Sequence, residues 1–249
     1  MMNESETETV STTTLDESSV FHTIIDVLGF LLYMHHQIPS TVQDMTIEFD
    51  SLHSQYKHLE MEMGSEAKAS FRRKYLSQMR DIKRGIKRMD KLMNAFSNIQ
   101  TAIKLIPNLE EVIFALGATP LRPRHLYILH FSSGTSLPIV ADDFARTKAA
   151  DALSRKAIRT LISKGVGSVT YPGPMKLFVL VKASSSFNQP LHFLPKRDFR
   201  YNKKVVPLRL LFKCRKQDQE TTAPTSEDLI WFQCRHAIKG LAMNITPEE

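Results

Sequence analysis

Apolar residues first recur at helical spacing in residues 18–37, where they occupy most sides of the predicted helix. Ser18 or Ser19 can cap its start, and Pro39 ends it because proline lacks a backbone donor and biases its neighbour away from helix. A helix that is apolar on most sides is expected at the centre of a fold. The prediction depends on Phe21, Ile24, Ile25, Leu28, Leu31 and Leu32.

A second helix, predicted over residues 66–100, is apolar on one side only. Its apolar positions alternate in steps of four and three, which predicts a seam of the coiled-coil type. The seam consists of Tyr75, Met79, Ile82, Ile86, Met89, Met93 and Phe96. Basic residues fill the other faces: ten of them oppose three acidic residues between Glu66 and Lys91, and this excess equals the chain's net charge of +7. Residues 40–63 begin with a short helical stretch and show no clear pattern beyond it.

The later part of the chain follows mainly the shorter period of strands. One more helix is predicted over residues 141–163, with Gly165 and Gly167 ending it. Because helices come first and strands follow, the class is α+β rather than alternating α/β. Strands are predicted at 109–116, 126–131, 175–183 and 205–214, with 191–201 as an edge strand.

Composition divides the chain into three parts. Residues 1–17 are acidic, rich in Ser and Thr and poor in apolar residues, which predicts a disordered tail. Residues 18–242 form the predicted domain, and 243–249 a flexible tail. Only two cysteines are present, which favours a reducing compartment. No secretory leader and no membrane span are expected.

No motif argues for catalysis, so we expect neither an enzyme nor a cofactor. The pair Gly165 and Gly167 stops short of a dinucleotide fingerprint and follows a helix, where that motif needs a strand. P-loop and G-x-S-x-G motifs are absent. Cys214, Cys234 and His236 fit no structural zinc spacing and lack a fourth ligand, so no metal site is expected.

The only tryptophan lies in an apolar stretch near the C-terminus, 227-EDLIWFQCRHAIKGLA-242. Chain ends usually fray, yet this one carries enough apolar surface to dock on its own domain or on a partner. The same stretch begins a resemblance that extends over roughly residues 20–242. Its four blocks are the string Glu227–Gln233 with Lys239 and Gly240; Leu116–Pro123 with Tyr127 and Leu129; Tyr33, His35, Gln37 and Pro39; and Tyr171–Met175.

In this order, the four blocks resemble the comet family of HORMA-domain adaptors, which bind the Mad-two spindle-checkpoint protein. The resemblance implies a HORMA-like fold with three helices packed on an antiparallel sheet and a C-terminal safety-belt-like segment. In that arrangement the tail wraps the protein's own sheet, with Trp231 and Phe232 as anchors. Burial of both side chains contributes several kcal/mol at about 25 cal/mol per Å² before ordering costs.

The function that the resemblance implies is that of an adaptor rather than an enzyme. Such a protein binds the closed conformer of a HORMA client and delivers it to a hexameric AAA+ ATPase, which silences the spindle checkpoint. Meiotic axis HORMA proteins are a further client class, and the expected location is the nucleus and cytoplasm, with kinetochores, spindle or meiotic chromosomes as sites. State-selective binding is required, because an adaptor without conformer preference cannot direct remodelling.

The resemblance assigns client recognition to the helix matching residues 141–163, although the individual contacts do not carry over. Our candidates for the contact are Arg155, Ile158, Arg159 and Ile162. The competing interpretation places both isoleucines in the core and leaves the arginines solvated. Cys234–Ile238 replaces a more apolar stretch of the family, so the ATPase contact and the occupant of the protein's own ligand groove stay open.

Two other classes of function use the 66–100 helix. A basic helix can bind nucleic acid through phosphates, but aromatic residues for base stacking are absent between its charges, so nucleic acid is the less favoured partner. A coiled-coil scaffold could instead self-associate through the 75–96 seam.

Overall fold

The computed structural model describes residues 6–12, 15–64, 69–107, 109–132, 146–167, 173–214 and 228–241. Within these ranges the chain forms four helices and eight strands, so the α+β class is confirmed. The helices are α1 (Glu17–Met34), α2 (Val42–Gly64), α3 (Ala69–Lys104) and α4 (Lys148–Ser163). The strands are β1 (Glu6–Thr12), β2 (Glu111–Thr119), β3 (Arg122–Phe131), β4 (Lys176–Ser184), β5 (Phe193–Lys196), β6 (Leu208–Cys214), β7 (Leu229–Cys234) and β8 (Ile238–Lys239).

The strands form one mixed sheet in the order β1-β6-β3-β2-β4-β7-β5, with β8 also paired to β4. The expectation of an antiparallel sheet is wrong for β6, which pairs in parallel with both β1 and β3. The connection explains this: residues 197–207 leave β5 at one edge and reach the β2–β3 turn, where the Asn202 amide donates to the Leu121 carbonyl at 3.0 Å. Strand β6 therefore starts at the same end of the sheet as β3.

Alternate residues of the central strands face two different cores, as the pleat requires. Phe114, Val179 and Phe212 lie in the main core between the sheet and the helices. Ile113 and Leu180 belong to a smaller cluster on the opposite face. That face is covered by the 197–207 segment, whose partly buried members are Phe199, Tyr201 and Val205.

Helix α1 lies at the centre of the main core. Asp16 caps it by accepting from the Ser19 amide at 2.8 Å, so the prediction of a Ser18 or Ser19 cap is wrong by two or three positions. The carboxylate is a better match to the positive end of the helix. By length and composition α1 passes as a membrane span, but 56% of it is buried inside the protein, which is typical of a core helix.

The expectation of three helices is wrong because residues 42–64 form a helix of their own. One side of α2 carries apolar residues in alternating steps of four and three, a pattern missed among its many polar positions. This side meets the seam of α3, and the two helices form an antiparallel hairpin. The α2 positions are Met45, Phe49, Leu52, Tyr56, Leu59 and Met63.

The prediction of a disordered tail over residues 1–17 is wrong for Glu6–Thr12. This segment is strand β1, paired along its whole length with β6 and contributing the fully buried Val10 to the core. Composition did not reveal it because its stability comes from pairing with a strand about two hundred residues away. The predicted flexible tail at 243–249 lies outside the described residues.

Candidate functional site

Helix α4 is held in place by the side that it turns toward the protein. Thr147 caps it by accepting from the Ala150 amide at 3.1 Å. The helix packs against α1 and the edge strand β1. Its buried residues are Ala150, Leu153, Ser154, Ala157 and Leu161. Small residues among them let two helices approach closely, so the helix presents its opposite side on a fixed backbone.

The four candidate contact residues share the outward side of α4, because their spacing of three and four brings them together at 3.6 residues per turn. Ile162 is 53% exposed, Arg155 and Arg159 are exposed, and Ile158 is half-buried. The structure thus separates the two isoleucines: Ile162 is available on the surface, and Ile158 supports it from a partly covered position. An exposed aliphatic side chain on the same side of the helix as two guanidinium groups suits a partner with an apolar spot beside acidic groups.

A charged bridge joins α4 to α1 beside this surface. Both Arg146 nitrogens Nη1 and Nη2 bind the Asp26 carboxylate, at 3.1 and 2.7 Å, and its Nε binds Asp151. These bonds raise the pKa of Arg146, the bond to Asp26 most, and the bond from Arg146 lowers the pKa of Asp151. Asp26 and Asp151 are therefore already engaged, which leaves basic groups dominant on the outward face.

Two lysines tie α4 to strand β1. Lys156 Nζ donates to the Ser11 carbonyl at 2.7 Å, and Lys164 Nζ lies 2.6 Å from the Glu8 carboxylate. Strand β1 forms one edge of the sheet, so these contacts fix the edge strand and the candidate surface relative to each other.

The tryptophan stretch docks on its own domain, as strand β7 between β4 and β5. Phe232 is buried in the main core and meets Phe187 edge-on, with ring centroids 5.2 Å apart. Trp231 points to the other face, where Phe199 lies 6.1 Å away and Lys182 Nζ sits 5.9 Å from the indole centroid. The two adjacent anchors therefore hold opposite faces of the sheet.

Gln37 joins the end of α1 to two distant parts of the chain. Its side chain donates to the His35 carbonyl at 2.7 Å and accepts from the Met175 amide at 2.6 Å. Its backbone carbonyl accepts from the Leu241 amide at 2.8 Å. A Cβ at Gly240 would lie 2.1 Å from Gln37 Oε1, so only glycine fits there.

Residues from the blocks that carry the resemblance therefore meet around Gln37, at a contact that we call the Gln37 joint. The residues that meet there hold the fold together. His35 Nε2 and the Tyr127 hydroxyl are 2.6 Å apart and buried. This hydrogen bond connects the block that contains Tyr127 to the same joint. Tyr171 and Pro172 lie outside the described residues. The polar residues His35 and Gln37, directly after an apolar helix, were the signal for this joint in the sequence. Their partners Tyr127 and Met175 are more than ninety residues away, so the sequence alone did not identify them.

The buried titratable groups at this joint favour their neutral forms. Burial, with smaller contributions from His125 and His36, lowers the pKa of His35 to about 3. Burial also raises the pKa of Tyr127 and lowers that of His125. Neutral groups in a tight hydrogen bond stabilise the fold here.

The remaining candidates for chemistry are weak. Burial raises the pKa of the Cys234 thiol to about 11, so the thiolate that acts as nucleophile or ligand is scarce. His192 Nδ1 and His236 Nε2 are 3.1 Å apart. Over the described part of the chain, no group of three or more His, Cys, Asp or Glu side chains could hold a metal ion.

Comparison with protein-family models and with curated proteins finds no match to this chain. The functional interpretation therefore depends on the surfaces of the molecule itself.

Proposed function

We propose that this chain is a non-enzymatic adaptor of the HORMA-like class. It binds the closed conformer of a Mad-two-type HORMA client through the outward side of α4 and delivers that client to an AAA+ ATPase. The observation that carries the proposal is the α4 surface: Ile162 is exposed on the same side as Arg155 and Arg159, on a helix that packs on α1 and β1.

Two further features support the adaptor class. The C-terminal stretch is built into its own sheet through Trp231 and Phe232, as the resemblance implies for a safety-belt-like segment. Residues from all four blocks that carry the resemblance also meet at the Gln37 joint. The finer HORMA-like assignment, and a meiotic axis client as the second partner class, belong to this proposal.

Rigidity of the α4 surface gives the proposed mechanism its selectivity. A preformed surface loses little freedom on binding, so it can favour the one client conformer whose surface matches it. A difference of about 1.4 kcal/mol between the two client conformers gives a tenfold preference. That preference is what an adaptor needs to direct the ATPase toward one conformer.

The test measures the affinity of the full chain for closed and open conformers of a Mad-two-type protein. Ile162→Glu places a charge at the centre of the proposed contact, and we expect a loss of about tenfold or more for the closed form. Ile47→Glu is the matched control, because Ile47 on α2 is 63% exposed and lies outside the proposed surface. Equal affinity for both conformers, or equal loss in both variants, would overturn the proposal.

A further inference from the structure

One side of α3 carries a row of five exposed cations that the adaptor proposal does not use. We name it the basic stripe; it consists of Arg73, Arg80, Arg84, Lys87 and Lys91. The intervals of seven, four, three and four residues place all five on one side of the helix. At a rise of 1.5 Å per residue, the stripe is about 27 Å long.

The basic stripe faces solvent because the opposite side of α3 is covered. Met79 is buried, and Ile82 and Ile86 are half-buried, on the side that meets α2. Leu52 of α2 lies over Gly85, where an added Cβ would be in ordinary van der Waals contact with its Cδ1 atom at 3.5 Å. The apolar seam is thus occupied within the chain, and it cannot insert into a membrane while the hairpin is formed.

Few acidic groups of α3 oppose the basic stripe. Asp81 and Asp90 are the two acidic residues between Arg73 and Lys91, against eight basic ones, an excess of six positive charges. Asp81 Oδ1 lies 3.4 Å from Arg84 Nη1, and Asp90 Oδ1 accepts from the Asn94 amide group at 3.0 Å. The charge on this side of the helix is strongly positive over its whole length.

We propose that the basic stripe binds the phosphate backbone of duplex DNA without reading its sequence. Five cations spread over about 27 Å suit the dense negative charge of B-form DNA, which carries one charge per about 1.7 Å of axis when both strands are counted. The five stripe residues are all cationic, so the bases of a single strand would find no aromatic platform among them.

This inference goes beyond the proposed adaptor function and does not depend on it. The basic stripe lies on α3, whereas the proposed client surface lies on α4, which packs on α1 and β1. DNA binding would concentrate the chain on chromatin and leave α4 free for a client. Failure of either experiment leaves the other proposal standing.

The test titrates the full chain into a fluorescent mixed-sequence DNA duplex of about 20 base pairs and follows anisotropy at increasing salt. Five phosphate contacts predict a slope of about −4 to −5 for the logarithm of the binding constant against the logarithm of salt concentration. The variant Arg80→Gln, Arg84→Gln, Lys87→Gln should lose about three units of slope and more than tenfold in affinity at low salt.

The matched control removes three positive charges elsewhere, by Arg197→Gln, Arg200→Gln and Lys203→Gln on the exposed segment after β5. It should bind the duplex within about threefold of the unmodified chain if position rather than net charge decides affinity. Equal losses in the two triple variants would overturn the assignment to α3. Circular dichroism checks that both variants keep their helices, and the single change Lys87→Gln should lower the slope by about one unit.

Other occupants give distinct results in the same assay. Tighter binding of a single strand of the same length would contradict the proposal that the stripe binds duplex DNA. Tighter binding of poly-glutamate of matched charge would also contradict it and would indicate an acidic protein as the partner. Absence of duplex binding at low salt would also overturn the proposal.

Discussion

The two helix pairs of this protein are held together in different ways. Helices α1 and α4 pack on each other at the sheet, and α1 buries ten of its residues. Helices α2 and α3 meet along an apolar seam, and most of their other positions are exposed and polar. The comparison shows how burial on several sides demands an apolar helix, whereas contact on one side leaves room for a charged surface.

Helix α3 shows both kinds of packing: one part is buried in the main core, and the other part contacts α2. From Met89 to Ile103 its apolar residues belong to the main core. Before Met89 they meet α2 instead, and beyond Leu52 no described residue of α2 belongs to that core. The distal hairpin is therefore expected to open locally at a lower free energy than the α1–α4 pair.

The largest expected effect comes from the same truncation in each helix pair. Leu28→Ala empties a fully buried position of α1 and should cost about 2 to 5 kcal/mol of unfolding free energy. Leu59→Ala removes a half-buried side chain of α2 and should cost about 1 kcal/mol or less. Urea unfolding of the two variants measures the difference, and equal costs would contradict the distinction between the pairs.

The second prediction concerns acid sensitivity at the end of α1. The folded state holds His35 neutral with a pKa of about 3, whereas the unfolded chain protonates it near 6.5. Its contribution to stability is therefore present above the unfolded pKa and is lost as the pH falls, by about 2 kcal/mol between pH 7 and pH 5 from this residue alone. The lowered pKa of His125 acts in the same direction.

Urea unfolding near pH 7 and near pH 5 tests this prediction. His35→Gln does not titrate, so its loss of stability over this window should be about 2 kcal/mol smaller than that of the unmodified chain. His53→Gln on the exposed side of α2 is the control and should leave the loss unchanged. If both variants lost the same stability as the unmodified chain, His35 would not be the source.

Much of the fold was predictable wherever a single element carries its own signal. The apolar period located α1 and α3, and alternating strands with turn residues located β2, β3 and β4. Strand β1 and the parallel pairing of β6 were missed, because pairing between distant segments leaves no local pattern. Helix α2 was predicted only as a short helical stretch at its start, although its seam has the same spacing as that of α3, since polar residues outnumber the seam positions.

The candidate site was predictable only as a surface. Helical spacing alone places Arg155, Ile158, Arg159 and Ile162 on one side of a helix. Which side faces solvent depends on the packing of α1 and β1 against α4, and that packing left Ile162 exposed and Ile158 half-buried. The same limit applies to the Gln37 joint, whose partners come from three separate parts of the chain.

The third prediction compares the threonine caps, of which each helix pair has one. Thr147 Oγ1 accepts from the Ala150 amide of α4 at 3.1 Å, and Thr41 Oγ1 accepts from the Asp44 amide of α2 at 3.2 Å. Replacement of either by alanine removes a helix cap worth about 1 kcal/mol. Loss at Thr147 should lower global stability, because α4 packs on the core.

Hydrogen exchange separates the two caps. In Thr41→Ala the faster exchange should be confined to the first turns of α2, whereas in Thr147→Ala it should include the slowest amides of α1 and the sheet. Serine at either position retains the capping oxygen and should restore most of the loss. Confinement of the Thr147→Ala effect to α4 itself would show that this helix is less coupled to the core than its packing implies.

The smallest expected effect has the opposite sign in the two pairs. The Thr23 hydroxyl on α1 is buried and has no hydrogen-bond partner in the described part of the chain, whereas the Thr46 hydroxyl on α2 is exposed and donates to the Val42 carbonyl at 2.9 Å. Valine has nearly the same shape as threonine, so Thr23→Val removes an uncompensated polar group and should stabilise by up to about 1 kcal/mol. Thr46→Val should be neutral or slightly destabilising, since water already solvates its site. Thermal unfolding of both variants measures the difference, and destabilisation by Thr23→Val would show that the hydroxyl has a partner, such as a buried water.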